Sequence, residues 1–232
     1  LVLLWNKIKI EIMNVLIGCE ESQAVCIEFR KLGINAYSCD LQECSGGHPE
    51  WHFNKSVFDV ANGGKLITQS GEEVYIEKWD LGIFHPPCTH LAVSGARHFK
   101  EKIADGRQKE AIQFFLKLAN LPIQHLVLEN PICIMSSVWR EPDQIIQPYY
   151  FGDEFQKTTC LWYKNIPFLK PTKIVSKGEF VTFKSGKKMS KFFAESFGDG
   201  KARSKTFPGI AKAMAEQWSD LSNTPIQTTL EI

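Results

Sequence analysis

Asn14-Val15-Leu16-Ile17-Gly18, a helical stretch over residues 23–31, and Ile34-Asn35-Ala36-Tyr37-Ser38-Cys39 closed by Asp40 together decide the fold. A short apolar run ending in glycine suits a buried strand. Ser22 offers a cap for the helix, Val25, Ile27, Phe29 and Leu32 fall partly at core spacing, and Gly33 stops it. Strand, helix and strand in such quick succession form the βαβ opening of a doubly wound parallel sheet. The predicted class is α/β, a Rossmann-like sheet with helices on both faces.

Outward from that unit, residues 56–60 read as a third strand with Asp59 near its end. Asn62-Gly63-Gly64 and Ser70-Gly71 flank two β-prone pieces, 65–68 and 73–76, which look like an inserted hairpin. Residues 80–84 resume the sheet and run into His85-Pro86-Pro87-Cys88-Thr89, where the prolines force the backbone to turn. A helix is predicted over 102–120, a strand over 125–129 broken by Pro131, another over 160–163, and a last helix over 208–218 with proline in its first turn. Residues 1–12 read as an extension, 13–163 as the main domain, 164–202 as a short basic insertion, and 203–232 as a helix returning to the domain.

The 232 residues are 44% hydrophobic and 23% charged, which suits one globular α/β domain. No apolar run is long enough for a membrane span. The opening apolar stretch has no basic leader and no small-residue cleavage site, so it does not read as a signal peptide. Seven cysteines lack the even, close spacing of a disulfide framework, and a reducing cytoplasm is the expected setting. The net charge of +1 is unevenly spread. Residues 156–205 hold twelve Lys or Arg against three Asp or Glu, an excess of nine, so the remainder carries −8. Such asymmetry suggests that the late segment faces a polyanion; a solvated lysine-rich surface is the plainer account.

Ligands of open parallel sheets bind outside the carboxyl ends of the strands. Gly18, Cys19, Glu20, Asp40, Asp59, Pro86, Cys88 and Glu129 all fall at such ends. A carboxylate after the second strand can accept hydrogen bonds from both hydroxyls of a ribose, which gives Asp40, with Leu41 beside it, a cofactor role. Asp59 and Val60 would sit beside the adenine. The first turn has one glycine, so it is not the pyrophosphate fingerprint. A nucleoside without a pyrophosphate fits better, and S-adenosylmethionine is one. Cys88, rigidly presented after two prolines, is a candidate nucleophile, although many cysteines are simply small buried hydrophobes.

Four pieces, in this order, carry a resemblance. Pro87-Cys88-Thr89-His90-Leu91-Ala92-Val93-Ser94-Gly95 resembles the catalytic loop of the DNA cytosine-5 methyltransferases. Glu129-Asn130-Pro131 looks like that family's Glu-Asn-Val element, with proline for valine. Phe151-Gly152 through Gln156 is similar to its Tyr-Gly…Gln-x-Arg-x-Arg strand. Lys205 through Ala215 resembles its carboxy-terminal helix. Small phage-borne members are the nearest likeness, and a phage-encoded chain would work in a bacterial host cell.

The resemblance implies that the Cys88 thiolate adds to carbon 6 of a flipped-out cytosine. Glu129 engages ring nitrogen 3, Asn130 fixes Glu129 and the loop, and carbon 5 takes the methyl group of S-adenosylmethionine. It also implies substrate contacts from Ser94, Gly95, Gln156 and Lys157; by position and charge alone, Arg97 just after the loop and Lys187 and Lys188 in the basic segment are candidate phosphate contacts. DNA is the implied partner, with RNA an open alternative. Two departures stand out. The family's two arginines fall on Thr158 and Cys160, leaving Lys157 as the nearby cation, a point charge without a planar fork. Residues 164–200 also stand where a much larger recognition domain is usual. Two rivals follow: an amino-group methyltransferase, whose loop keeps two prolines but needs no thiol, and a nucleic-acid-binding protein on a decayed methyltransferase scaffold. Cys39, Cys44, His48 and His52 have a zinc-like spacing, yet Cys39 falls inside a strand, and no metal is expected.

Overall fold

The computed structural model describes residues 13–184, 186, 188–196, 199–200 and 204–221. The proposed extension 1–12 lies outside them, as do Lys187 and residues 222–232.

Three strands open the chain: β1 (Asn14–Gly18), β2 (Asn35–Asp40) and β3 (His52–Asn54), with helix α1 (Ala24–Lys31) between the first two. Residues expected to form the third strand instead make a helical turn, α2 (Val57–Val60). Val57 and Val60 are buried while Asp59 is exposed, a one-sided pattern that a helical turn satisfies as readily as a strand. A hairpin follows, β4 (Gly64–Ile67) against β5 (Glu73–Ile76), where the paired glycine signals placed it. Then come β6 (Leu81–Phe84), α3 (Phe99–Ala104), α4 (Arg107–Ala119), β7 (His125–Pro131), α5 (Met135–Val138), β8 (Gln144–Ile146) and β9 (Thr159–Lys164). The helix expected over 102–120 is thus two, because Gly106 at φ 86° takes a left-handed conformation that breaks the ladder. The basic insertion holds a small hairpin, β10 (Phe180–Thr182) with β11 (Lys188–Ser190), and α6 (Lys191–Glu195). Helix α7 (Pro208–Trp218) has the bounds read from the sequence.

The central sheet has seven strands in the order β3-β2-β1-β6-β7-β9-β8. Neighbours are parallel from β3 through β7; β9 is antiparallel to both β7 and β8, so it alone runs against the rest. The protein is therefore an α/β fold with a mostly parallel sheet, compatible with a Rossmann-like class.

Alternation along the strands divides the core into two layers. Val15, Ile17, Leu81, Ile83, Val127 and Leu161 face α1 and α7, joining Phe29, Met214 and Trp218. Leu16, Phe84, Leu126, Leu128, Cys160 and Trp162 face the other way, onto Val57 of α2 and Phe115 and Leu118 of α4. Strands sandwiched in this way read as near-continuous apolar runs, which is why β1 was so legible. Helix α7 is seated by Asp153, whose Oδ2 accepts the Gly209 N–H at 2.8 Å. A Cβ at Gly209 would lie 2.0 Å from the Phe151 carbonyl oxygen, so only glycine permits this approach.

Candidate functional site

The carboxyl ends of β2, β1, β6 and β7 lie side by side, and the residues singled out from the sequence begin there. Gly18 pairs with Cys39 on one side and Phe84 on the other. Its missing side chain serves packing: a Cβ would lie 2.5 Å from Phe84 Cδ1 and 2.8 Å from Val57 Cγ2. Cys19 bends the chain at φ 61°, and the Glu20 N–H then donates to the Cys39 carbonyl at 3.2 Å. Glu20 is buried beneath the amino end of α1. Its Oε1 accepts the Val25 N–H at 2.7 Å and its Oε2 the Cys26 N–H at 3.3 Å. The helix is therefore capped by Glu20; Ser22 makes no cap, and Gln23 stands at the N-cap position. Burial pushes the Glu20 carboxyl up to about 7, against the pull of His85 and of the two amides.

Asp40, at the end of β2, is half-buried, and its Oδ1 accepts the Gln42 N–H at 2.9 Å. Leu41 beside it is 77% exposed, a large apolar side chain with no cover. Of the third pair, Asp59 is exposed on α2, whereas Val60 is buried and its carbonyl accepts the Trp79 indole N–H at 2.8 Å.

The ends of β6 and β7 are laced together. The His85 N–H donates to the Gly18 carbonyl at 3.0 Å, and its ring Nδ1 lies 3.1 Å from Glu129 Oε2. Asn130 Nδ2 donates to the Pro86 carbonyl at 2.6 Å and to the Glu129 carbonyl at 3.2 Å. Asn130 thus fixes the backbone two residues before Cys88, which is itself partly exposed. Beyond Cys88 the chain runs antiparallel beside the exit of β7, with an Ala92–Cys133 bridge and hydrogen bonds from Val93 to Ile132 and from Ile134 to Leu91. Cys88 and Glu129 are thereby carried at one end of adjacent strands.

This site is electrostatically charged below its surface. His85 and Glu129 are both nearly buried. Burial opposes an imidazolium at His85, but the Glu129 hydrogen bond and the charges of Glu129 and Glu20 outweigh it, and the imidazole stays above its ordinary value. Burial likewise opposes a carboxylate at Glu129; the His85 hydrogen bond and the charges of Lys157 and His85 outweigh it and hold that carboxyl below its ordinary value. His85 Nε2 and Asn130 Oδ1 are buried with no hydrogen-bond partner among the described residues.

Sequence reasoning missed two residues here. His85 entered only as the residue ahead of the two prolines, although a titratable side chain between a strand and two prolines was a usable signal. Lys102 entered only as the first residue of the predicted helix, but it is 8% exposed, and its Nζ donates to the Thr89 carbonyl at 2.5 Å. Gln108 Nε2 adds a bond to the His90 carbonyl at 3.3 Å. Nothing in the helical pattern marked Lys102, because its neighbours Glu101 and Lys100 are exposed charges.

Ser94 and Arg97 are exposed and Gly95 is half-buried, all in a 3-10 stretch, Val93–His98. The Arg97 Nε lies 2.9 Å from His98 Nε2. Gln156 and Lys188 line one hollow of about 260 Å³ with Thr158, Phe180, Met189 and Ser190. The Lys157 Nζ lies over the Phe207 ring, 5.7 Å from its centre, and its charge reaches Glu129. Lys187 lies outside the described residues. Of the zinc-like residues, His52 bonds Ser38 and the Gln42 carbonyl, Cys39 points at the Lys55 carbonyl, and His48 stacks on Trp51. Among the described residues no group of three or more His, Cys, Asp or Glu is placed to hold a metal ion, and no helix is long and apolar enough to cross a membrane. Compared with known proteins, the chain matches no family model and no curated protein.

Proposed function

We propose that the protein transfers a methyl group from S-adenosylmethionine to carbon 5 of cytosine in DNA, through a covalent bond between Cys88 and carbon 6. The observation that carries the proposal is the lacing of β6 to β7, which places the Cys88 loop and Glu129 at one sheet end with Asn130 bonded between them. The sheet adds support of a weaker kind. One reversed strand, the last of the seven in chain order and the sixth across the sheet, leaves the parallel strand ends of a Rossmann-like fold, an analogy of fold alone.

The residues present fit the cofactor. Asp40 offers a half-exposed carboxylate for a ribose diol, and exposed Leu41 offers an apolar face for a base. Glu20 is spent on α1, so it serves that site only by shaping the turn. When bound, the cofactor supplies an electrophilic methyl group on a sulfonium. The chain's own work is to open carbon 5 to it. The Cys88 thiolate adds to carbon 6, ring nitrogen 3 holds a proton against Glu129, and carbon 5 becomes a nucleophile. Loss of the carbon 5 proton then releases the cysteine. Extruding the base costs about a few kcal/mol, which contacts in the pocket offset. The excess of cations after residue 156 supports a polyanionic partner.

DNA carrying 5-fluorocytosine tests the mechanism, since fluorine at carbon 5 cannot leave as a proton does. With the cofactor present, wild-type protein should give an adduct that survives denaturing electrophoresis, and Cys88→Ser should give none while still binding cofactor. No adduct on any DNA sequence, or N4-methylcytosine or N6-methyladenine as the product on ordinary DNA, would overturn the reading.

A further inference from the structure

Glu129 shares its buried place with a second titratable group that the reaction above does not use. His85 leaves β6, Glu129 lies on β7, Glu20 follows β1 and Lys157 precedes β9. These four titratable groups, from four elements, act on one buried contact, the 3.1 Å bond between His85 Nδ1 and Glu129 Oε2. An imidazolium there has a carboxylate directly bonded and Glu20 as a further acid, with burial and the Lys157 charge opposing it. Its Nε2 is buried without a hydrogen-bond partner among the described residues.

We propose that His85 is a positioning residue for Glu129: as an imidazolium it occupies Oε2, leaves Oε1 to meet the cytosine edge, and holds Glu129 as a carboxylate. The inference rests on the reading of Glu129 given above, and it changes where a proton resides. A carboxylate accepts but cannot donate, so Oε1 takes the exocyclic amine of cytosine or a protonated ring nitrogen 3. A proton taken up from solvent as the base binds then rests on nitrogen 3 and not on Glu129. The thiolate of Cys88 adds to a cationic ring, the new carbon–sulfur bond takes its electron pair from sulfur, and the ring becomes neutral. Without the charge at residue 85 the proton moves to Glu129, and the ring that Cys88 meets is neutral and less electrophilic.

Carboxyl and imidazole titrations of the full chain by NMR, with Glu129→Gln to assign the resonance, read this without any turnover. In wild type His85 should be protonated at neutral pH and Glu129 should titrate below an ordinary glutamate. In His85→Asn, which keeps a donor near Nδ1 but carries no charge, the Glu129 midpoint should move up. Adduct formation with 5-fluorocytosine DNA should slow roughly tenfold or more, and its acid limb should move up with Glu129. A neutral His85 at pH 7, or a Glu129 midpoint unmoved in His85→Asn, overturns the proposal; the wild-type titration decides alone if the variant does not fold. Titrations that behave as stated in a protein that forms no adduct would leave the pairing intact and sink the methyltransferase reading. An adduct with an unmoved Glu129 would do the reverse.

Discussion

Glu20 and Asp40 are two acids at neighbouring strand ends, and burial gives them different work. Glu20 is 4% exposed and engaged by two backbone amides, whereas Asp40 keeps one oxygen on its own turn and part of its surface open. Only Asp40 can accept from a ligand without uncapping a helix. A hydrogen bond to a charged group contributes about 1.5–3 kcal/mol. Calorimetry should therefore show Asp40→Ala binding S-adenosylmethionine some ten- to a hundredfold more weakly, to order of magnitude. Equal affinity would remove Asp40 from the cofactor site. Spacing revealed the acids and Cys88, because a side chain at a strand end is fixed by where the strand stops. It did not reveal what each acid faces, which depends on neighbours far away in sequence: Val25 and Cys26 for Glu20, His85 and Lys157 for Glu129.

Lys102 on α3 reaches across to the Thr89 carbonyl, so a helix thirteen residues downstream holds the loop that carries Cys88. Its stem is buried, which makes Lys102→Met a substitution that keeps the packing and removes only the bond. Hydrogen exchange should then quicken at the amides of Leu91, Ala92, Val93 and Gly95, about tenfold or more if a charged hydrogen bond is lost. Unchanged exchange would mean that the Ala92–Cys133 bridge and its neighbours fix the loop unaided. At this scale β1, β2, β6, β7, β9 and α7 were legible because apolar runs and proline punctuate them, whereas β3, β8, β10 and β11, at three residues each, are too short to show a period. The turn at Val57–Val60 was not, since four residues are too few for either periodicity to separate helix from strand. The split between α3 and α4 was missed for another reason: a single glycine inside a helical pattern is usually tolerated, and nothing in that pattern marks the left-handed φ that Gly106 takes.

Both faces of the sheet are covered, but by different parts of the chain. One layer is closed by helices that follow locally from their strands; the other depends on α7 lying against α1. Trp218 is fully buried there, and its indole N–H donates to the Pro167 carbonyl at 3.1 Å. Trp218→Ala should lower the free energy of unfolding by about 3–5 kcal/mol, read from urea melts. A loss of less than about 1 kcal/mol would show that α7 is a loosely attached element. The order in which these helices are made has a consequence for biosynthesis. Val25 and Phe29 of α1 leave the ribosome roughly 180 residues before the helix that covers them, about 10–40 s at ordinary elongation rates. Through that interval the nascent chain carries an open apolar strip along α1 and the strands beneath it. A ribosome paused ahead of Pro208 would therefore expose a species far stickier than the finished protein.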